Sequence, residues 1–429
     1  MHSPHSRLTR RALLLAATVP LTAALVLAGC DSDGFAGGEG GGGPSVPYGS
    51  SVEVYREALA EMEPVQLTVQ TTAVTADRAA SLLAMLDRVT EYSGDKITFD
   101  VIFAGALVPA NADVDDALLA GLLDIAAYSM SSEETEYPAS ALMMDATVLR
   151  DPRYVTGWWS TEAAYAEVAY SSENVLGEWE SKGLLPLSIL SPGAPAVLVC
   201  SSPATTLSDL AGLKVRASNP LYMRQAEALG MIPVQMDTVE VYEGIVRGLI
   251  DCNLGPVTVM FGTGMFEIAR HVVIPATTSF ATTPSSLLAG TRVRSLPLAA
   301  QQLLVESAHA YQAESISVLS GALGGALPVL TGQLGGTWDA LDAEADAALA
   351  AENQVILAET SASAVTGASA LATDLEAATL AWIERVIELG YTDEGTIGDL
   401  PDWFTTGADP QPWFDAVVTD VLAAGHSPV

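Results

Sequence analysis

The stretch DLAGLKVRASNPLYMRQAEALG, residues 209–230, sets Lys214 and Arg216 two positions apart in a chain that has 18 Lys plus Arg against 52 Asp plus Glu. Positive charge is scarce, so its placement carries information. The segment around Lys214 to Ala217 reads as a short strand, and LYMRQAEALG reads as the helix after it. MIPVQM then supplies another strand, EVYEGIVRGLI another helix, and DCNLGP follows. Strand and helix in alternation are the mark of an α/β sheet, and in such sheets ligands sit outside the carboxyl ends of strands. Arg216 is near the end of its strand. A guanidinium stays charged and matches a carboxylate with a planar fork. An ion pair at about 4 Å is worth on the order of 4 kcal/mol at an effective dielectric of 20, before desolvation. Two readings of Arg216 stand at this point: a ligand clamp, or a surface arginine on an edge strand paired with a nearby acid.

Upstream, the same alternation occurs once more. PVQLTVQT places Val65, Leu67 and Val69 on one face of a strand. ADRAASLLAMLDRVTEYSG puts Ala79, Leu82, Leu83, Leu86 and Val89 at helical spacing, with Gly94 as its stop. KITFDVIFAG alternates Ile97, Phe99, Val101 and Phe103, a short helix has acids Asp115 and Asp116 in its first turn, and a buried strand runs from Ile125 to Tyr128. This series predicts a parallel sheet, and a further strand, AVLVCSS, opens the second series after Pro195. Two α/β lobes follow from the pattern. Past Pro297 a long helix is expected to about Gly321, then a Gly-rich break. An alanine-rich helical region follows Trp338, and the aromatics of DWF (402–404) and PWF (412–414) dock the tail.

A net charge of −34 excludes nucleic acid as a partner, since its phosphates would be repelled. The acidity otherwise speaks of solubility or adaptation to salt. Surface charges are screened beyond about 8–10 Å and say little about a ligand. The N-terminal RLTRRALLLAATVPLTAALVLAGC has basic residues, an apolar run, and a Leu27-Ala28-Gly29-Cys30 site. That order reads as a secretory signal over 1–29 with lipidation at Cys30; an ordinary membrane anchor fits less well because Thr18, Pro20 and Thr22 interrupt the run. Either Sec or twin-arginine export is compatible with Arg10-Arg11. A Gly-rich tether follows, and no other stretch reads as long and clean enough to span a bilayer. Of three cysteines, Cys200 and Cys252 remain, in a compartment that permits disulfides; a bridge and two buried thiols are both open.

Catalytic patterns are missing: no G-x-S-x-G elbow, H-E-x-x-H pair or P-loop occurs. The histidines are His2, His5, His271, His309 and His426, which suggests neither a metal cluster nor a triad. Asp115-Asp116 are accounted for by the helix dipole. The chain reads as a non-enzyme without cofactor or metal.

Residues 209–256 resemble the substrate-binding subunits of TRAP transporters, the C4-dicarboxylate-binding type of periplasmic solute receptor. The matching motifs are DLAGLKVR, Tyr222, ALGMIPVQM, EVYEGIVRG and LIDCNLGP, with FDVIFAGAL and DALLAGLLDIA fitting upstream. The likeness covers most of residues 64–320. It implies a two-lobed periplasmic-binding-protein-like α/β fold of class II type, with hinge strands near 190–196 and 276–286 and a long bracing helix. The lobes expected are 63–193 plus about 282–320, and 194–281 plus about 321–400. The signal at 1–29 and the lipid-anchored tether and lead-in at 30–62 precede them, and a tail at 401–429 ends the chain. The resemblance assigns the ligand carboxylate to Arg216, with Tyr222 and Asn253 lining the pocket and Asp113 or Tyr128 contributing from the first lobe. It implies a small organic acid as ligand, TRAP membrane subunits as partners, and a bilayer reached through Cys30.

Two departures stand out. The family often carries another arginine on the strand before, where this chain reads GAPAVLVCSS with no basic residue near Ala196. The family's turn asparagine is displaced, with Gly255 in its place, Asn253 two residues earlier and Cys252 replacing a glycine. A monocarboxylate or a bulkier apolar acid would suit such a pocket. Rival readings are an ABC-type or sensor-associated binding lipoprotein, and a structural lipoprotein that keeps the fold without a ligand.

Overall fold

In the computed structural model, which describes residues 42–129, 135–236, 240–404 and 409–426, eleven strands form two mixed sheets. The first holds β1 (Val65–Gln70), β2 (Ile97–Ile102), β3 (Ile125–Tyr128) and β4 (Leu185–Ser191). The second holds β5 (Ala196–Cys200), β6 (Lys214–Arg216), β7 (Ile232–Val234), β8 (Cys252–Pro256) and β9 (His271–Ile274). The chain then returns to the first sheet with β10 (Ser285–Ala289) and crosses again to the second with β11 (Thr337–Ala340). The orders are β2-β1-β3-β10-β4 and β11-β9-β5-β8-β6-β7.

The period-two pattern of β1 buries Leu67 and Val69 against Leu82, Leu86 and Val89 of helix Ala80–Ser93, which ends at Gly94 in the left-handed region, φ 62. Phe99 and Val101 of β2 are only half-buried because β2 is the outer strand. β1, β2 and β3 are parallel as expected, but the sheet is not parallel throughout. β10 pairs antiparallel with both β3 and β4, because one crossing brings the chain back from the other sheet in the opposite direction.

Segments 192–195 and 275–284 join the sheets, and the long helix makes the third crossing. That helix runs Leu298–Pro328 and continues as a wider π turn, Val329–Gln333. It passes Gly321, Gly324 and Gly325, where a break was expected. The buried Leu323, Ala326, Leu327 and Leu330 hold it in shape, so tertiary packing outweighs the roughly 1 kcal/mol cost of each helical glycine. Its first half packs in the core of the first lobe through Leu303 and Leu304. Its second half enters a core that also contains Val197 and Val272 of the second sheet. By length and composition the helix would meet the requirement for a membrane span, contrary to the expectation that no later stretch would; in this fold it is a brace.

The lead-in also differs from a loose tether. Val46, Tyr55 and Leu59 are buried, and helix Val52–Ala58 lies on the brace. Val46 N donates to Gln302 Oε1 at 2.8 Å, while Gly49 N and the Tyr55 hydroxyl donate to Glu306 Oε2 at 3.0 and 2.8 Å. The chain is therefore docked from residue 46 onward. The signal at 1–29 and Cys30 lie outside the described residues. At the other end, Trp413 is buried edge-on to Trp159, and its Nε1 donates to the Trp159 carbonyl at 3.0 Å. Phe404 packs on Tyr154 at 4.8 Å, so aromatics do dock the tail.

Candidate ligand-binding site

β6 lies between β8 and β7, so Arg216 is not on an edge strand. In the register of these parallel strands Arg216 stands beside Asn253 of β8 and Val234 of β7. Residues 252–256 are a strand where the motif suggested a turn. Arg216 is half-buried and its Nε donates to the Met236 carbonyl at 3.2 Å. Lys214, two residues earlier, is exposed at the strand's start. Asn253 is buried; its Nδ2 lies 3.0 Å from Met260 Sδ, and its Oδ1 has no hydrogen-bond partner.

Tyr222 follows by a local mechanism. The chain leaves β6, Asn219 caps helix Pro220–Ala228 by accepting from Tyr222 N at 2.8 Å, and Pro220 takes the first helical position. The cap thereby turns Tyr222 inward, six residues beyond Arg216. Its hydroxyl is buried without a well-formed hydrogen bond. Burial pushes its pKa up to about 12, opposed by the Thr283 hydroxyl and by the Arg216 and Arg150 guanidiniums. Asn219 Nδ2 also donates to Thr283 Oγ1 at 3.1 Å, which ties the Arg216 corner to the 275–284 crossing. Thr282 N in turn donates to Thr147 Oγ1 of the first lobe at 3.0 Å.

Cys200 and Cys252 are joined by a disulfide across directly opposed positions of antiparallel β5 and β8, Cα to Cα 4.1 Å. The bond pins β8 one residue before Asn253. Arg216, Tyr222 and Asn253 thus belong to one corner of the second lobe. The two first-lobe candidates are not brought to it. Asp113 is exposed on the 3-10 turn Asn111–Asp113. Tyr128 is buried edge-on to Tyr137 and Trp179 at 5.7 and 6.0 Å, within the first lobe's own aromatic cluster.

Sequence reasoning passed over Arg150, Glu162, Asn219 and Thr283. Asn219-Pro220 carried a readable helix-start signal. Arg150 had the same signal as Arg216, scarcity: between Lys96 and Lys182 only Arg150 and Arg153 are basic. Arg153 is paired with Asp151, Nε to Oδ1 2.8 Å. Arg150 is buried, and no ion pair to it occurs among the described residues. Burial draws its pKa down to about 10, with Glu162 opposing, so it is a cation at neutral pH.

The model of bacterial extracellular solute-binding protein, family 7, matches residues 70–320. The C4-dicarboxylate-binding periplasmic protein of Rhodobacter capsulatus is 30% identical over 101 residues, which is 23% of this chain and 30% of that protein. The chain thus matches less than a third of that relative's length. Among solved structures, the periplasmic ectoine-binding protein of the TeaABC TRAP transporter of Halomonas elongata superposes with TM-score 0.63 at 19% identity, covering 74% of this chain and all of that one. A TRAP periplasmic solute-binding protein of Desulfovibrio desulfuricans with bound sn-glycerol-3-phosphate gives 0.61 at 17% identity, covering 73% and 97%. These likenesses establish the two-lobed fold. With two α/β sheets joined by crossings at 192–195 and 275–284, and a family model matched over more than half its length, the chain belongs to the bacterial extracellular solute-binding proteins of family 7.

Proposed function

We propose that this protein is the substrate-binding subunit of a TRAP-type transporter, which captures a small organic acid outside the cell membrane and hands it to the membrane permease. The observation that carries this reading is the Arg216 corner. A guanidinium at the end of β6 stands in register with Asn253 and six residues before Tyr222 in the next helix, and both of those buried residues present a polar atom without a hydrogen-bond partner. Buried polar groups are nearly always satisfied, so two unused ones beside one guanidinium suit a site that a ligand completes.

Arg216 supplies the charge and planar fork for a carboxylate, and Asn253 and Tyr222 supply further polar contacts. The two crossings serve as hinges. Ligand held by the second lobe and touched by the first shifts the population from open to closed, in proportion to its extra affinity for the closed form. Lipidation of Cys30 after removal of 1–29 is part of the proposal, and leashes the receptor near its permease. Its motivation is the Leu27-Ala28-Gly29-Cys30 site.

A thermal-shift screen of the full-length protein against carboxylic acids tests the receptor role, because a bound acid raises stability by mass action. A rise with one or more acids that Arg216→Ala abolishes is the expected result; no rise with any acid counts against it. Cys30→Ser tests the anchor: the variant should move to the soluble fraction, and one that stays on the membrane is held by something else.

A further inference from the structure

The crossing at 192–195 is gripped at Gly193 by two buried charges. Arg150 Nη1 donates to the Gly193 carbonyl at 2.8 Å, and Gly193 N donates to Glu162 Oε1 at 2.8 Å. Gly193 has φ 71, a left-handed conformation that suits glycine. Glu162 is fully engaged, since Trp158 Nε1, the Ser191 hydroxyl and Gln312 Nε2 also donate to it at 3.2, 2.9 and 3.3 Å. Arg150 is not. It is only 4% exposed, its Nη2 is buried without a hydrogen-bond partner, and Glu162 lies beyond ion-pair distance.

A buried cation with an unused donor is costly, and a purely structural arginine would be expected to spend its whole fork. Here one edge of the fork is held by the hinge and the other is idle. Arg150 lines a small cavity of about 10 Å³ with Pro195, Ala196, Ser279 and Phe280, residues of both crossings and their flanks. Hydrogen bonds join Arg150 to the Arg216 corner: Arg150 N donates to the Thr147 carbonyl at 3.1 Å, Thr282 N to Thr147 Oγ1 at 3.0 Å, and Asn219, the cap that holds Tyr222, donates through Nδ2 to Thr283 Oγ1 at 3.1 Å.

Resting on the receptor reading above, we propose that Arg150 is a second ligand-binding cation, whose idle Nη2 takes an oxygen of an acid already held by Arg216. The site then favours an acid that carries a second acceptor oxygen, as in a hydroxy, oxo or dicarboxylic acid, over a plain monocarboxylate. Because the same guanidinium holds Gly193, ligand contact and the position of the hinge are joined in one side chain.

The test uses the full-length protein with succinate, malate, 2-oxoglutarate and 3-hydroxybenzoate, and with butyrate and benzoate as partners that lack the second oxygen. The wild type should be stabilised more by at least one of the first four than by its plain partner. Calorimetry with that acid should show Arg150→Gln weakened at least about thirtyfold and Arg150→Lys retaining more affinity than Arg150→Gln, since it keeps the charge. Arg150→Gln can still donate to Gly193, so its ligand-free melting temperature should stay within about 4 °C of wild type. A structural role alone would lower that temperature and leave Lys and Gln variants alike in binding. If Arg150→Gln binds within threefold of wild type, or if plain monocarboxylates bind as well as their partners, the role of Arg150 is overturned and the receptor reading stands. If none of the six acids stabilises the wild type, this inference falls; a wider acid screen that also fails then removes the receptor reading itself.

Discussion

The Arg216 corner and the Gly193 crossing are both built around a guanidinium, but they are assembled in opposite ways. In the corner, strand, cap and helix place Arg216, Asn219 and Tyr222 within seven consecutive residues, and Asn253 joins by strand register. At the crossing, Arg150, Glu162, Gly193 and Gln312 come from four separate elements, and no local pattern links them. Local assembly leaves a motif in the sequence. Long-range assembly leaves only isolated residues, whose meaning depends on what folds against them.

The largest expected effect breaks the corner. Arg216→Ala should cost roughly 2–5 kcal/mol of binding to an acid found in the screen, at least about thirtyfold, with little change in the ligand-free melting temperature. Arg216→Lys should also bind poorly, because an ammonium lacks the planar fork. Titration calorimetry checks both, and near-normal binding by Arg216→Ala would move the clamp elsewhere, Arg150 being the first alternative.

Next comes the staple beside it. Replacing Cys200 and Cys252 together with Ser should lower unfolding free energy by about 2–4 kcal/mol in denaturant titrations, since the bond closes a loop of 52 residues in the unfolded chain. The Arg216 corner should lose order with it, so weaker acid binding is expected in the same variant. Unchanged binding would show that β8 keeps its register without the bond.

The long-range region is sharpened by pH. His309 on the bracing helix is buried between the Tyr48 and Tyr170 hydroxyls, 3.3 and 2.9 Å from its ring nitrogens, and lines a small cavity with Glu162 and Gln312. Burial holds its pKa down to about 3. The unfolded chain therefore takes up a proton below about 6.5 that the folded one refuses. The stability linked to this histidine is complete above that pH and is lost as pH falls toward 3, by up to about 1.4 kcal/mol per unit. Between pH 6.5 and 4.5 His309→Gln should lose about 2–3 kcal/mol less than wild type; equal losses in paired melts would place the acid-sensitive group elsewhere.

The smallest effect is a control within the corner. Lys214→Ala should change acid affinity no more than a few-fold, because Lys214 is exposed at the start of β6 and solvent screens its charge. A larger loss than that of Arg216→Ala would mean the two cations have exchanged roles.

The elements themselves were legible where apolar periodicity was strong. β3 falls at Ile125–Tyr128 as read, and Ala80–Ser93 ends at Gly94. The bracing helix was read too short because glycine propensity was weighed without the core that surrounds Leu323 and Leu327. The tether was read too long because a Gly-rich composition does not reveal that Val46 and Tyr55 have a helix to land on. Asp113 stays exposed and the packing turns Tyr128 into its own lobe, because the partners that decide their surroundings lie outside any short stretch of sequence.

By itself the sequence determined the α/β alternation and the candidacy of Arg216, and its family resemblance set hinge strands near 190–196 and 276–286. Each rests on periodicity, capping or motif within a few turns of chain. Only the tertiary structure decided that β10 runs antiparallel, that Cys200 faces Cys252, and that Arg150 reaches the Gly193 crossing. Those outcomes depend on which distant segments share a core, and the free energy of that choice is spread over contacts that no short window of sequence contains.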